Sequence, residues 1–201
     1  MVITGVYYAL GLVAVGALLA YFTNAYVGVP FYVLAAFCLW FFRDPDRQIP
    51  QGRVAVSPAD GKVVAITTDP DGRRRVGIFL NVFDVHVNRS PIAGTIREIR
   101  YQEGKFLVAS KPEATSQNEQ NTFTMIADDG TAVEFSQIAG LIARRIICYK
   151  KPNDRVTAGE RVGLIQFGSR VDILFGSEWD LEVKEGQRVS AGSSIIARRK
   201  S

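Results

Sequence analysis

The segment Gly163-Leu164-Ile165-Gln166-Phe167-Gly168-Ser169-Arg170-Val171-Asp172 joins two strand-like runs at a Gly-Ser pair. One reading of Gly168-Ser169 is an ordinary turn. The other is chemical, because a Gly-Ser bond held in strain can rearrange. The serine hydroxyl attacks the preceding carbonyl and converts the amide to an ester. Elimination then releases the upstream carboxylate, and the dehydroalanine left behind hydrolyses to a pyruvoyl group. Glycine helps by allowing backbone conformations that other residues avoid. His86 is the sole histidine, so a multi-histidine metal site is excluded. It sits between Val85 and Val87, which also suits a plain strand residue. Asp60 precedes Gly61, a pair that fits either a carboxylate partner or a β-turn. Cys38 and Cys148 give neither a disulfide framework nor a zinc spacing.

The elements that must position these residues read as mostly β. Beyond Phe42, runs of Val, Ile and Phe are bounded by Gly, Pro and Asp, and no long 3.6-residue pattern is present. Strands are expected over 54–56, 62–67, 75–80, 95–101, 122–127, 131–135, 141–149, 161–167, 171–175 and 194–197. Asp128-Asp129-Gly130 suits a hairpin turn. The polar stretch from Ser110 to Asn121 reads as a loop or lid. Arg155-Val156-Thr157-Ala158-Gly159 is echoed by Arg188-Val189-Ser190-Ala191-Gly192, with the turn–strand–turn rhythm of lipoyl-like barrel-sandwich hybrids. The expected fold is a mostly β, sandwich-like domain with few short helices. A carrier of the lipoyl kind needs a modifiable lysine at a hairpin tip, and Lys184, the sole lysine between Lys151 and Lys200, has no turn signature around it.

Charge divides the chain. All 44 formal charges fall beyond Phe42, and residues 1–42 hold no Asp, Glu, Lys, Arg or His. This excludes both a soluble protein of uniform composition and a polytopic membrane protein. Ile3 to Phe22 is 20 residues, ~30 Å as a helix, the thickness of a bilayer's hydrocarbon. A second segment from Pro30, suited to a first helical turn, to Phe42 is short; it gains comparable length only by starting near Ala25. A transmembrane hairpin, a single-leaflet wedge and a buried helical hairpin remain open. A signal peptide fits poorly, with no basic residue before the apolar core. Tyrosines and Trp40 near the segment ends suit interfaces, and Arg43 and Arg47 place the charged domain on the cytoplasmic side of the cell membrane. Net charge is +4 at a sequence pI near 9.2, too modest and too scattered for a nucleic-acid binder.

Several motifs occur together: FFRDPDR at 41–47, SPADGKV at 57–63, FLNVFDVHVNRSP at 79–91, NEQN at 118–121, IAGLIARRI at 138–146 and FGSRVD at 167–172. In this order and spacing the chain resembles the short, pyruvoyl-dependent phosphatidylserine decarboxylase family, archaetidylserine counterparts included. The likeness runs from Arg43 to the C-terminus, and the family also has an apolar N-terminal anchor. Gln120 and Gln166 depart from it, standing where the family pattern has arginine.

The resemblance implies a membrane-bound, self-cleaving proenzyme with no metal. Residues 1–168 would be the large chain and 169–201 the small one, the two remaining together as a heterodimer. Ser169 would become the pyruvoyl cofactor, forming a Schiff base with the substrate amine. Its imine and amide would take up the electrons left as CO2 departs, the part pyridoxal phosphate plays elsewhere. His86 would act as base in self-cleavage and Asp60 would orient it, as in a Ser–His–Asp arrangement. His86 is also the candidate proton donor in turnover. The substrate would be a serine phospholipid: phosphatidylserine, giving phosphatidylethanolamine, or archaetidylserine, giving archaetidylethanolamine. Its phosphate calls for guanidinium donors. Arg144 and Arg145 are the candidate pair, with Asn88 beside His86, although a solvated strand end explains the arginines equally. The Arg73-Arg74-Arg75 cluster suits an anionic membrane surface. A membrane-tethered lipoyl-like adaptor is the alternative class, and the oligomeric state is open.

Overall fold

The computed structural model describes residues 2–109, 111, 113–141, 145–166 and 168–200. They fall into two compact units, Met1–Asp46 and Arg47–Ser201. In the first, helix α1 (Ile3–Phe22) and helix α2 (Ala25–Phe41) pack on each other as a hairpin. The break lies at Thr23-Asn24, where the Asn24 side chain accepts the Tyr26 N–H and caps α2. Of the two starts left open by the sequence, Pro30 and near Ala25, the helix takes the second: α2 begins at Ala25 and carries Pro30 inside it. A proline there forfeits one helical hydrogen bond, which a well-capped helix tolerates. Gly16 and Gly28 let the helices touch, since a Cβ on Gly28 would stand 2.9 Å from the Gly16 carbonyl oxygen. Leu10, Val13, Leu18 and Val33 face outward. Helices apolar all round suit lipid better than water. Among the described residues α1 is long and apolar enough to cross a membrane, and α2, at 17 residues, is shorter.

The second unit is mostly β. Its elements are β1 (Val54–Val56), β2 (Gly61–Thr68), β3 (Arg74–Leu80), β4 (Val87–Arg89), β5 (Gly94–Gln102), α3 (Ala114–Gln117), β6 (Gln120–Ile126), β7 (Ala132–Ile138) and β8 (Ile146–Cys148). Then follow β9 (Arg155–Val156), β10 (Arg161–Ile165), β11 (Ser169–Phe175), β12 (Trp179–Leu181), β13 (Arg188–Val189) and β14 (Ile195–Arg199). An eight-stranded sheet runs β13-β2-β3-β11-β7-β6-β5-β9, beside two three-stranded sheets, β1-β14-β12 and β4-β10-β8. The strand pairings are antiparallel, so short turns such as Asp128–Gly130 connect neighbours. One face of the large sheet supplies Val63, Ile78, Phe123, Phe135, Val171 and Ile173 to the core. The Phe123 and Phe135 rings stack across β6 and β7 with centroids 4.6 Å apart.

The echoed Arg-Val pairs form β9 and β13, at opposite edges of the large sheet. Each leads into a turn ending on a glycine of positive φ, Gly159 and Gly192, and both turns close on Ile49. Lys184 opens the turn to Gln187 rather than sitting at its tip. The expected strand over 141–149 shrinks to β8, and residues 142–144 lie outside the described residues. The polar stretch before β6 is more than a loop. It contains α3, and Asn118 is buried, its side chain bonded to the Leu107 backbone and the Ala139 carbonyl. Polar side chains that replace backbone partners in this way hold an irregular segment tightly without sheet pairing.

Candidate active site

β11 runs through the middle of the large sheet, between β3 and β7, and all seven of its residues are buried. Strand alternation sends Ser169, Val171 and Ile173 to the core face and Arg170 and Asp172 to the other. On that second face Arg170 pairs with Asp172, which also accepts the Thr115 hydroxyl from α3. The charged residues are thus covered and paired rather than solvated.

Ser169 is fully buried, and its Oγ has no hydrogen-bond partner among the described residues. An unsatisfied buried hydroxyl costs roughly 1–3 kcal/mol. The residue before it, Gly168, has φ +67°, in the left-handed region where a Cβ is penalised. The chain therefore bends at Gly168, but Ser169 already belongs to β11. The Gly168 carbonyl oxygen lies against Gly140, two residues past β7: a Cβ on Gly140 would stand 2.2 Å from it.

His86, just before β4, is also fully buried, and its carbonyl accepts the Ile165 N–H from the end of β10. Its ring touches two backbone groups. Nδ1 lies 2.9 Å from the Asp84 carbonyl oxygen, and Nε2 accepts the Gly168 N–H at 3.2 Å. The pattern fits one neutral tautomer, with the proton on Nδ1 and the lone pair of Nε2 facing the Gly168–Ser169 region. Asp84 is fixed in turn, accepting from Arg188 Nη1 at 2.8 Å and from the Asn81 N–H at 2.9 Å.

Asp60 lies in the turn before β2. Arg47 Nη2 reaches both of its oxygens, at 3.0 and 2.8 Å, and the Ala191 N–H donates to Oδ1 at 2.7 Å. Nδ1 of the His86 ring thus faces the Asp84 carbonyl, while Asp60 takes hydrogen bonds from Arg47 and Ala191. Asn88, on β4, is fully buried; its Oδ1 accepts from Gln137 Nε2 at 2.8 Å. Gln137 Oε1 accepts from Asn121 Nδ2 at 3.3 Å. The Nδ2 of Asn88 and the Nε2 of Gln166 are buried without a partner among the described residues.

Arg144 lies outside the described residues, and Arg145 is exposed, its carbonyl accepting the Gln166 N–H at 3.2 Å. Gln120 is elsewhere: with Arg73, Arg75 and Arg100 it lines a polar groove of about 300 Å³. Asp172 and Ser136 line that groove too, so it opens on the sheet face opposite Ser169. Asp84, Gly140 and Asn121 fall inside motifs noted in the sequence but were given no role of their own, and Gln137 lies outside those motifs. The i, i+2 spacing of Asp84 and His86 ties that pair locally; the others meet only through long-range pairing.

Residues 34–197 match the protein-family profile described as phosphatidylserine decarboxylase. A phosphatidylserine decarboxylase proenzyme of Solibacter usitatus is 62% identical over 199 residues, covering 99% of this chain and 97% of the relative. The proenzyme of Nitratidesulfovibrio vulgaris is 47% identical, covering 94% of this chain and 93% of its own. That of Magnetococcus marinus is 43% identical, over 95% of this chain and 90% of its own.

Proposed function

The chain belongs to the phosphatidylserine decarboxylase family, and we propose that its reaction centre is made by self-cleavage between Gly168 and Ser169. It is an enzyme that decarboxylates a serine phospholipid; the adaptor alternative is not favoured. The observation that carries the cleavage reading is the set of groups around one peptide bond. Ser169 Oγ is buried and uncommitted, Gly168 is in the left-handed region, and the acceptor nitrogen of His86 sits on the Gly168 N–H.

In this reading Nε2 gives up the Gly168 N–H and takes the Oγ proton while Oγ attacks the Gly168 carbonyl carbon. The C–N bond breaks as the C–O bond forms, and the amide becomes an ester with a free amine. Loss of the Cα proton expels the Gly168 carboxylate and leaves dehydroalanine at 169. One water then replaces its nitrogen, ammonia departs, and a pyruvoyl group remains. The buried hydroxyl and the bend before it fit that group. When formed, it supplies the carbonyl that holds the substrate amine and accepts the electrons released with CO2.

The chain's own residues do the rest. The Asp84 carbonyl holds the Nδ1 proton and so keeps Nε2 as the base. Asp60 contributes the charge of its Arg47 pair. Nε2, once protonated, returns a proton to the product carbon in this reading. The apolar α1–α2 hairpin anchors the enzyme to the bilayer that holds its substrate, with Arg43 and Arg47 favouring the cytoplasmic side. Denaturing electrophoresis tests the reading: wild type should run as two fragments and Ser169→Ala as one. An active wild-type protein that stays in one piece would end it.

A further inference from the structure

Three buried amides form a one-way chain across the core face of the sheet. Asn121 on β6 donates to Gln137 on β7, and Gln137 donates to Asn88 on β4. Each link uses one donor and one acceptor, so the direction fixes which atom is left over: Asn88 Nδ2 ends the chain with no partner among the described residues. Asn88 and Gln137 are fully buried and Asn121 nearly so. At such depth an unused donor carries its full desolvation penalty. A ligand oxygen reaching that donor during function would offset the cost.

The position of the free donor says which oxygen. Gln137 pairs with Val171 across β7 and β11, so it shares the core face with Ser169, two residues or about 7 Å along the strand. Asn88 lies two residues beyond His86, whose Nε2 takes the Gly168 N–H. The donor thus belongs to a side chain held by Gln137, two residues along the chain from the histidine, while Gln137 itself lies level with the residue two past the serine. Gly163, opposite Asn88 on β10, makes room for it: a Cβ there would stand 2.7 Å from Gln137 Nε2.

We propose that the Asn88 side-chain NH2 donates to an oxygen bearing full or developing negative charge at Ser169, and that Gln137 is the positioning residue that keeps this donor turned toward it. This rests on the self-cleavage reading above. Two oxygens share the required chemistry: the Gly168 carbonyl oxygen as the acyl shift loads it, and an anionic oxygen of the serine head group during turnover. A neutral amide suits both, because it adds a donor without a competing charge.

Gln137→Glu tests the direction of the chain with little change in volume. A buried carboxyl holds its proton well above the usual range. While protonated, the introduced carboxyl can donate to Asn88 and accept from Asn121, as glutamine does. Once ionised, it accepts from both, so Asn88 turns its NH2 inward and the reaction loses its donor. Maturation is followed by electrophoresis and turnover on a short-chain, soluble serine phospholipid, with melting temperature recorded at each pH. The variant-to-wild-type ratio should fall at least tenfold between about pH 5.5 and pH 9. A fall in the maturation ratio assigns the donor to the Gly168 carbonyl. A fall in the turnover ratio alone assigns it to the head group. A ratio that stays flat in both overturns the proposal, whatever its level.

Should Gln137→Glu fail to fold, Asn88→Ala removes the donor directly, with an expected loss on the order of 100-fold in one of the two steps. Both steps within threefold of wild type overturn the proposal as well. Failure of the underlying reading looks different, because the wild-type chain would then stay uncut before any variant is made.

Discussion

Gly140→Ala perturbs the scissile carbonyl without touching a titratable group. The added Cβ would start 2.2 Å from the Gly168 carbonyl oxygen and 3.2 Å from the Ala109 Cβ. A relaxed carbon–oxygen contact needs about 3.3 Å, so the carbonyl must retreat by about 1 Å or the 138–141 turn must give. Overpacking of this kind costs roughly 1–3 kcal/mol of stability. The larger effect falls on geometry, since a displacement of ~1 Å at a reacting bond can cost on the order of 100-fold in rate. Maturation is read by quenching samples during expression or refolding and separating the fragments on a denaturing gel. The same change made on the Ser169→Ala chain, which stays uncut, gives the stability cost by itself through its melting temperature. The expected result is a stable, folded chain that cuts itself about 100-fold more slowly. Maturation at the wild-type rate would refute the placement of the carbonyl against Gly140.

His86→Ala should leave the chain almost wholly uncut, because no other imidazole is available to take the Ser169 proton; normal cleavage, seen on a gel, would move the base elsewhere. Asp60→Asn should slow maturation less than His86→Ala does, since the Asp84 carbonyl still orients the ring; an equal block would give Asp60 a larger share. Removing residues 1–42 should spare self-cleavage but lower turnover on bilayer lipid far more than on a short-chain soluble substrate, and equal losses would make the hairpin part of the catalytic fold. Glu160 adds a pH effect. Burial pushes its carboxyl up, but hydrogen bonds from Lys150 and Thr157 outweigh it, so the net shift is downward. That stability is present above the usual carboxylate range and is lost as pH falls through the lowered value. Glu160→Gln should therefore flatten the melting temperature's decline between about pH 5 and pH 3; an unchanged slope would deny the pair its role.

What was legible in the sequence was what local pattern controls. The uncharged start predicted α1 residue for residue, because length and apolarity alone decide it. The mostly β character followed from short runs between turn residues. Gly168-Ser169 stood out because it interrupts two such runs. Chemistry carried by distant pairing stayed hidden. Arg170 and Asp172 alternate with apolar residues as a solvent face would, yet α3 and Arg75 cover that face. Asn88 was singled out beside His86, but its link to Gln137 and Asn121, on two other strands, shows only once those strands are paired. Asp60 was the expected partner of His86 from residue types; Nδ1 of the ring faces a backbone acceptor, the Asp84 carbonyl. Backbone acceptors leave no mark in side-chain identity, so this one could not be read in advance.

The central claim is that Gly168–Ser169 is cut by the chain's own residues. Intact mass spectrometry of the purified protein tests it most directly. Two species are predicted, residues 1–168 ending in a free carboxylate and residues 169–201 with a pyruvoyl group and no N-terminal amine, while Ser169→Ala gives the single uncut mass. An active wild-type preparation holding only the full-length chain, with Ser169 unmodified, would contradict it.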